Sequence, residues 1–289
     1  MSIALETKNL CKTYPDPGGF ELKNVGFSVP SGYITGFIGR NGAGKTTTLK
    51  VMLGLSPRDS GEVSLFSKSM PEHEAECKQD IGVVFGGFSY HETKRLRAVT
   101  KAFKRFYKNW SDEKYCELLR KFELDENKRV KELSAGMKVK YALALALSHD
   151  AKLLILDEPT SGLDPVSRDE IIDIFREFVE SGERSILFST HITSDLDKCA
   201  DHIVYIKDGE IAMTGDREQI IGGYRLVQGG RDDMSEGLRA ALIGIKETPF
   251  GFTGLIHASE LYLADGLKTA KADIESIMLY TEKYERHEG

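Results

Sequence analysis

Short, continuous apolar runs alternate along this chain with longer stretches in which apolar residues recur at helical spacing. Ile34 to Ile38, Ile81 to Phe85, Leu153 to Leu156 and Ser185 to Phe188 are of the first kind. Such runs, apolar without alternation, predict strands buried on both faces. Thr47 to Leu55, a charge-rich region from His91 to Leu124, the run Tyr141 to Leu147 and the segment Arg168 to Val179 predict helices. Pro57, Ser60 and Gly61 mark a turn. Ile203 to Ile206 and Glu210 to Met213 flank Asp208-Gly209 and predict a hairpin. Strands alternating with helices predict an α/β fold around a mostly parallel, covered sheet. Beyond Gly222 the pattern changes. Gly229-Gly230 and Asp232-Asp233 punctuate it, and helices at Met234 to Ile243 and Ala272 to Tyr284 bracket a hairpin at Gly251 to Ala258. The expected organisation is therefore one domain over residues 1–221, with a helical insertion at about 91–148, and a small α+β tail over 222–289.

Composition narrows the class. At 289 residues the chain can bury one large core and one small one. A formal net charge of −6 disfavours nucleic acid as a partner, because phosphate binding needs a basic surface. Cys11, Cys77, Cys116 and Cys199 lack metal-ligand spacing and fit reduced thiols in the cytosol. The N-terminus lacks a secretory apolar core, and no run approaches the ~18 apolar residues of a membrane span. Contact with a membrane is expected only through a partner or the protein surface.

The candidate chemistry begins between the first buried strand and the helix after it. Gly39-Arg40-Asn41-Gly42-Ala43-Gly44-Lys45-Thr46 fits the spacing of a phosphate-binding loop in its required strand–loop–helix context. Its glycines let backbone N–H groups turn toward phosphate oxygens, Lys45 reaches the outer phosphates, and Thr46 offers a Mg²⁺ ligand. Thr47 opens the helix, whose positive end faces the anion. Asp157 ends a fully apolar strand, where an unpaired carboxylate is costly, so its expected use is to hold Mg²⁺ beside Thr46. Glu158, one residue on, is the candidate general base for an attacking water. Leu133-Ser134-Ala135-Gly136-Met137 reads by itself as a loop and a serine N-cap. Lying between the phosphate loop and the Asp-Glu pair, it suggests half of a nucleotide site that one chain cannot complete.

Taken together, these segments resemble the ATP-binding subunit of an ABC transporter over roughly residues 1–220. The phosphate loop at 39–46, the signature segment at 133–137, the strand ending in Asp157-Glu158, the loop Ser161-Gly162-Leu163-Asp164 and the switch residue His191 stand in family order. The resemblance implies ATP and Mg²⁺ as ligands, Tyr14 stacked on adenine, and His191 at the γ-phosphate. It also implies a head-to-tail dimer in which Ser134, Gly136 and Asp164 of one copy meet the nucleotide held by the other. Integral membrane permease subunits are the further implied partners, with the chain on the cytoplasmic face of the membrane.

The signature departs from Leu-Ser-Gly-Gly-Gln at Ala135 and Met137, and Gly86 stands where the family usually carries a glutamine. Hydrolysis is still expected, since Lys45, Asp157, Glu158 and His191 are all present. The stretch from Phe106-Tyr107-Lys108-Asn109-Trp110 to Ser148-His149-Asp150 resembles bacterial exporters with separately encoded membrane subunits, which implies export of peptide or antimicrobial compounds. Two alternatives stay open: a soluble ABC ATPase without a transport role, and a degenerate subunit that binds ATP only.

One segment carries a different kind of signal. Between Lys94 and Trp110 lie seven cations (Lys94, Arg95, Arg97, Lys101, Lys104, Arg105, Lys108) and no acid. Leu96, Val99, Phe103, Phe106 and Trp110 recur among them at helical spacing. The plain reading is an amphipathic helix with a solvated basic face. The sharper one places that face near anionic headgroups or near the cytoplasmic helices of a membrane subunit, which the resemblance favours.

Overall fold

The computed structural model describes residues 2–15, 19–85 and 92–283, which divide into two compact units, 1–214 and 215–289. The division falls a few residues before the boundary expected from the sequence. Gly86 and its expected role lie outside the described residues.

The first unit is built on two sheets. Strands β1 (Ile3–Thr13), β2 (Glu21–Pro30), β4 (Ser60–Leu65) and β5 (Lys68–Met70) form an antiparallel sheet in the order β2-β1-β4-β5. The second sheet runs β10-β9-β3-β8-β7-β6, with β3 (Ile34–Ile38), β6 (Ile81–Phe85), β7 (Leu153–Asp157), β8 (Ser185–Thr190) and β9 (His202–Lys207) parallel. Strand β10 (Glu210–Asp216) returns beside β9 through Asp208-Gly209. Both turn residues have positive φ (47° and 81°), as a two-residue hairpin turn requires. Every residue of β3, β7 and β8 is buried, the physical counterpart of their unbroken apolar runs. The two sheets meet where Phe27 stacks on Phe37, with centroids 5.4 Å apart. Leu49 and Met52 of helix α1 (Lys45–Met52) belong to the same core.

Three more segments position the site. Helices α3 (Leu96–Phe103), α4 (Asp112–Lys121) and α5 (Ala135–Leu147) form the helical insertion, after the short α2 (Glu74–Cys77). A buried hydroxyl network ties the three together: Thr100 Oγ1 lies 2.8 Å from both Tyr115 Oη and Tyr141 Oη, and Tyr141 donates to Leu96 O. Helix α6 (Pro165–Val179) and helix α7 (Thr193–Cys199) follow strands β7 and β8. Two expectations are corrected here. The predicted helix 47–55 begins at Lys45 and ends at Met52. Residues 60–61, predicted as a turn, open strand β4: a Cβ on Gly61 would lie 2.3 Å from Asn9 O, so this glycine serves close backbone approach at a bulge.

The second unit opens with helix α8 (Arg217–Gly222) and then forms an antiparallel sheet in the order β12-β13-β11-β14. Its strands are β11 (Tyr224–Gly229), β12 (Gly244–Thr248), β13 (Gly251–His257) and β14 (Lys268–Lys271); helices α9 (Glu236–Ala241) and α10 (Ile274–Glu282) match the two helical stretches expected there. The predicted hairpin at 251–258 is instead one strand. Gly254 looks like a turn residue, but its absent Cβ would sit 2.6 Å from the Leu242 side chain, so it makes room for packing. Strand β14, Lys-Thr-Ala-Lys, is wholly exposed and carries no apolar signal by which to foresee it.

Candidate functional site

The C-terminal ends of the parallel strands are where open α/β sheets present their chemistry, and three of them converge here. Strand β3 runs into the glycine loop, β7 ends at Asp157, and β8 ends at Thr190 just before His191. In the ladder Asp157 pairs with Ser189 on one side and with Phe85 on the other. Register alone therefore sets the β8 side chains beside the Asp157 carboxylate.

The loop is fixed by sterics as much as by hydrogen bonds. Gly44, the residue before α1, has φ 111°, and a Cβ there would lie 2.6 Å from the Phe20 ring. A Cβ on Gly39 would lie 2.4 Å from Ile206 O. Ala43 is buried and its N–H donates to Arg40 O. The Lys45 ammonium, only 5% exposed, donates to Gly39 O at 2.7 Å and lies 3.2 Å from Glu158 Oε1. The Thr46 hydroxyl lies 2.9 and 3.1 Å from the two Asp157 oxygens.

The carboxylate pair is tied to β8. Ser189 donates its hydroxyl proton to Asp157 Oδ1 at 2.6 Å. The Glu158 N–H donates to Ser189 Oγ at 3.0 Å and to Ser189 O at 3.1 Å. Glu158 has φ 50°, a left-handed conformation costing about 1–3 kcal/mol in a non-glycine residue, and these bonds hold it. Its side chain reaches His191, with Nδ1 2.7 Å from Oε2. Glu158 thus touches both Lys45 and His191.

Behind this pair lies a second buried carboxylate. Asp195 is fully buried and accepts from Thr160 Oγ1 at 2.6 Å. Among the described residues its other oxygen has no hydrogen-bond donor, and Arg168 Nε on α6 stands 3.8 Å away. Asp195 thereby links the loop after the Asp-Glu pair to the helix after His191.

A cleft of about 530 Å³ opens over the loop. Tyr14, Asn41, Gly42, Gly44, Lys45, Thr46, Thr47 and Glu158 line it, as expected from the sequence. Arg40 of the same loop lines it too, as do Gly19 and Phe20, to which no sequence motif pointed. Tyr14 is half-buried at its rim, with Lys12 Nζ 5.5 Å from the ring centroid. Ser134, Gly136 and Asp164 are not part of this cleft. Ser134 caps α5 by accepting from Met137 N at 3.2 Å, as predicted, and Asp164 caps α6 through Val166 N and Ser167 N. Hydrogen bonds from Ser167 hold the exposed Asp164 carboxyl below the ordinary aspartate range. Gly136 packs on that helix start, where a Cβ would meet Ser167 Oγ at 3.3 Å.

The donor set at the cleft floor fits a magnesium nucleotide. A buried ammonium and a glycine cradle suit phosphate oxygens, while the Thr46 hydroxyl and the Asp157 carboxylate are hard oxygen ligands side by side. Among the described residues no helix is long and apolar enough to cross a membrane.

Comparison with known proteins agrees with this geometry. Residues 22–161 match the family described as ABC transporter. The bacitracin transport ATP-binding protein BcrA of Bacillus licheniformis is 35% identical over 73% of this chain and 69% of its own length. The Nod factor export ATP-binding protein I of Burkholderia orbicola is 34% identical over 74% of this chain and 72% of its own. Among solved structures, the ATP-binding cassette MJ0796, dimeric in a post-hydrolysis state with ADP and Pi, superposes with a TM-score of 0.65 at 26% identity. That match covers 73% of this chain and 98% of the cassette.

Proposed function

This chain belongs to the ATP-binding proteins of ABC transporters, and on that premise we propose that two copies close head to tail on two MgATP molecules to drive a membrane permease. The observation that carries the proposal is the separation of the site into two parts within one chain. Lys45, Thr46 and Glu158 line the cleft, with Asp157 bonded to Thr46 and His191 to Glu158, whereas Ser134, Gly136 and Asp164 stand elsewhere at capped helix starts. An anion site with no phosphate of its own is what a second copy's nucleotide would fill.

Within each site, Lys45 and the N–H groups of the glycine loop would bind the β- and γ-phosphates. Thr46 and Asp157 would hold Mg²⁺, which when bound neutralises phosphate charge and draws electrons from the γ-phosphorus. Glu158 is placed to take the proton of the attacking water, and His191, 2.7 Å from it, to orient that carboxylate and contact the γ-phosphate. Tyr14 at the rim offers a ring for adenine. Dimer opening after hydrolysis would move the permease as a rigid body. The dimeric state of the MJ0796 cassette supports the sandwich, and the transport and export roles named for the two bacterial relatives support an exporter.

The test is the Glu158→Gln variant, incubated with ATP and Mg²⁺ and sized by light scattering, then by co-purification from membranes. A stable dimer carrying two ATP molecules and a permease is expected. A monomer under those conditions would overturn the composite site.

A further inference from the structure

The cationic segment that the nucleotide chemistry leaves unused is displayed by the fold as one exposed surface. Along α3 and the turn after it, Arg97, Lys101 and Arg105 follow one another at every fourth position, with only Ala98 and Ala102 between them on the exposed side. Leu96, Val99 and Thr100 occupy the buried side. Among the described residues none of Arg97, Lys101, Arg105 and Lys108 has an acidic partner at ion-pair distance; the Arg97 guanidinium donates to the neutral Asn127 side chain at 3.3 Å. Nearby acids are engaged elsewhere: Asp112 by Lys104 and Glu76 by Lys68.

Phe106 follows Arg105 in the chain and is 74% exposed. Its exposure is built in. The Gln79 side chain donates to Phe106 O at 2.9 Å and accepts from Lys108 N at 3.0 Å, clamping the segment from both sides. Tyr107, the residue between, turns inward and stacks on buried His149 with centroids 3.7 Å apart. With Tyr107 fixed inside, its neighbour faces out.

We propose that Arg97, Lys101, Arg105, Phe106 and Lys108 form a contact surface for an anionic lipid bilayer, the cations meeting phosphate headgroups and the Phe106 ring entering the interface. Charge complementarity selects this occupant. In a chain of net charge −6, four cations without an acidic partner and an outward aromatic ring share the one short segment 97–108, the combination that interfacial anchors use. Protein interfaces, by contrast, are depleted of lysine at their cores, and the small Ala98 and Ala102 offer a protein partner little to grip. The proposal goes beyond the ATPase reading and does not rest on it, since a peripheral lipid contact needs no permease.

The test is sedimentation of the full chain with phosphatidylcholine vesicles, with and without phosphatidylglycerol, at low and high salt. Expected are binding only to the phosphatidylglycerol vesicles and its loss at high salt. The double variant K101E/R105E should weaken binding about tenfold or more, because each basic side chain at an anionic surface contributes roughly a factor of five. Phe106→Ala should weaken it less, and Lys268→Glu, on the exposed strand of the second unit, not at all. MgATP binding should be unchanged in every variant, which reports intact folding. Equal binding to neutral vesicles, or full binding by K101E/R105E, overturns the proposal. So does a K101E/R105E chain that keeps its vesicles and loses its permease, which would make the surface a protein interface.

Discussion

The hydroxyl of Ser189 stands 2.6 Å from the carboxylate of Asp157 and donates to it. The same oxygen accepts the Glu158 N–H, so one small side chain on β8 holds both the Asp157 carboxylate at the end of β7 and the backbone of Glu158 just beyond it. Ser189→Ala removes a charge-assisted bond and leaves the Glu158 N–H only its bond to the Ser189 carbonyl. A stability loss of about 1.5–3 kcal/mol is expected. In ATPase assays kcat should fall with little change in KM, because Ser189 touches neither nucleotide nor the loop that grips it. An unchanged kcat would make Ser189 a packing residue only.

Glu158 lies 3.2 Å from the Lys45 ammonium, so phosphate must take that cation from a carboxylate. Glu158→Gln removes the competing charge. MgATP should bind several-fold more tightly, measured by fluorescence titration, while turnover falls by about 10²–10⁴ with loss of the base. Lys45→Ala should abolish binding and turnover together. Weaker binding by the glutamine variant would show that the ion pair does not oppose nucleotide.

Asp195 is buried with one oxygen satisfied by Thr160 and the other facing Arg168 at 3.8 Å. Asp195→Ala would strand a buried hydroxyl and a guanidinium, at about 3–5 kcal/mol in urea unfolding. The compensated pair Thr160→Val with Asp195→Leu should recover part of that loss, since apolar replacements leave no polar group unpaired. Equal losses in the single and double variants would deny the coupling.

Burial holds His149 at a pKa of about 4, well below the ordinary histidine value of 6.5. The sign follows from proton linkage. Between pH 6.5 and about 4 the unfolded chain takes up a proton that the folded chain refuses, so stability is full above pH 6.5 and is lost as pH falls toward 4. The loss amounts to about 3 kcal/mol. His149→Phe, which keeps a ring against Tyr107, should remove this contribution to the pH dependence of urea midpoints. A variant with the same slope as the parent would place the acid sensitivity elsewhere.

The family, the parallel sheet and most of the cleft were legible in the sequence because their signals are local. Glycines at fixed spacing before Lys45-Thr46, an unbroken apolar run before Asp157-Glu158, and Ser134 ahead of a helix each state their own conformation. Where a glycine's reason lay across space, the sequence misled: Gly61 and Gly254 look like turns, yet each makes room for a distant contact. Ser189 and Phe20 carried no sequence signal for the same reason, as their roles depend on strand register and loop approach rather than on neighbours in the chain. Asp195 carried no signal either, since an acid near a helix start is ordinarily solvated.

By itself, then, the sequence determined which chemistry the chain carries, because phosphate binding and strand burial are written in consecutive residues. Only the tertiary structure decided how those groups are coupled. The pairing of Asp157 with Ser189, the reach of Glu158 to Lys45 and His191, and the outward Phe106 all arise from strand order and packing between segments far apart in the chain.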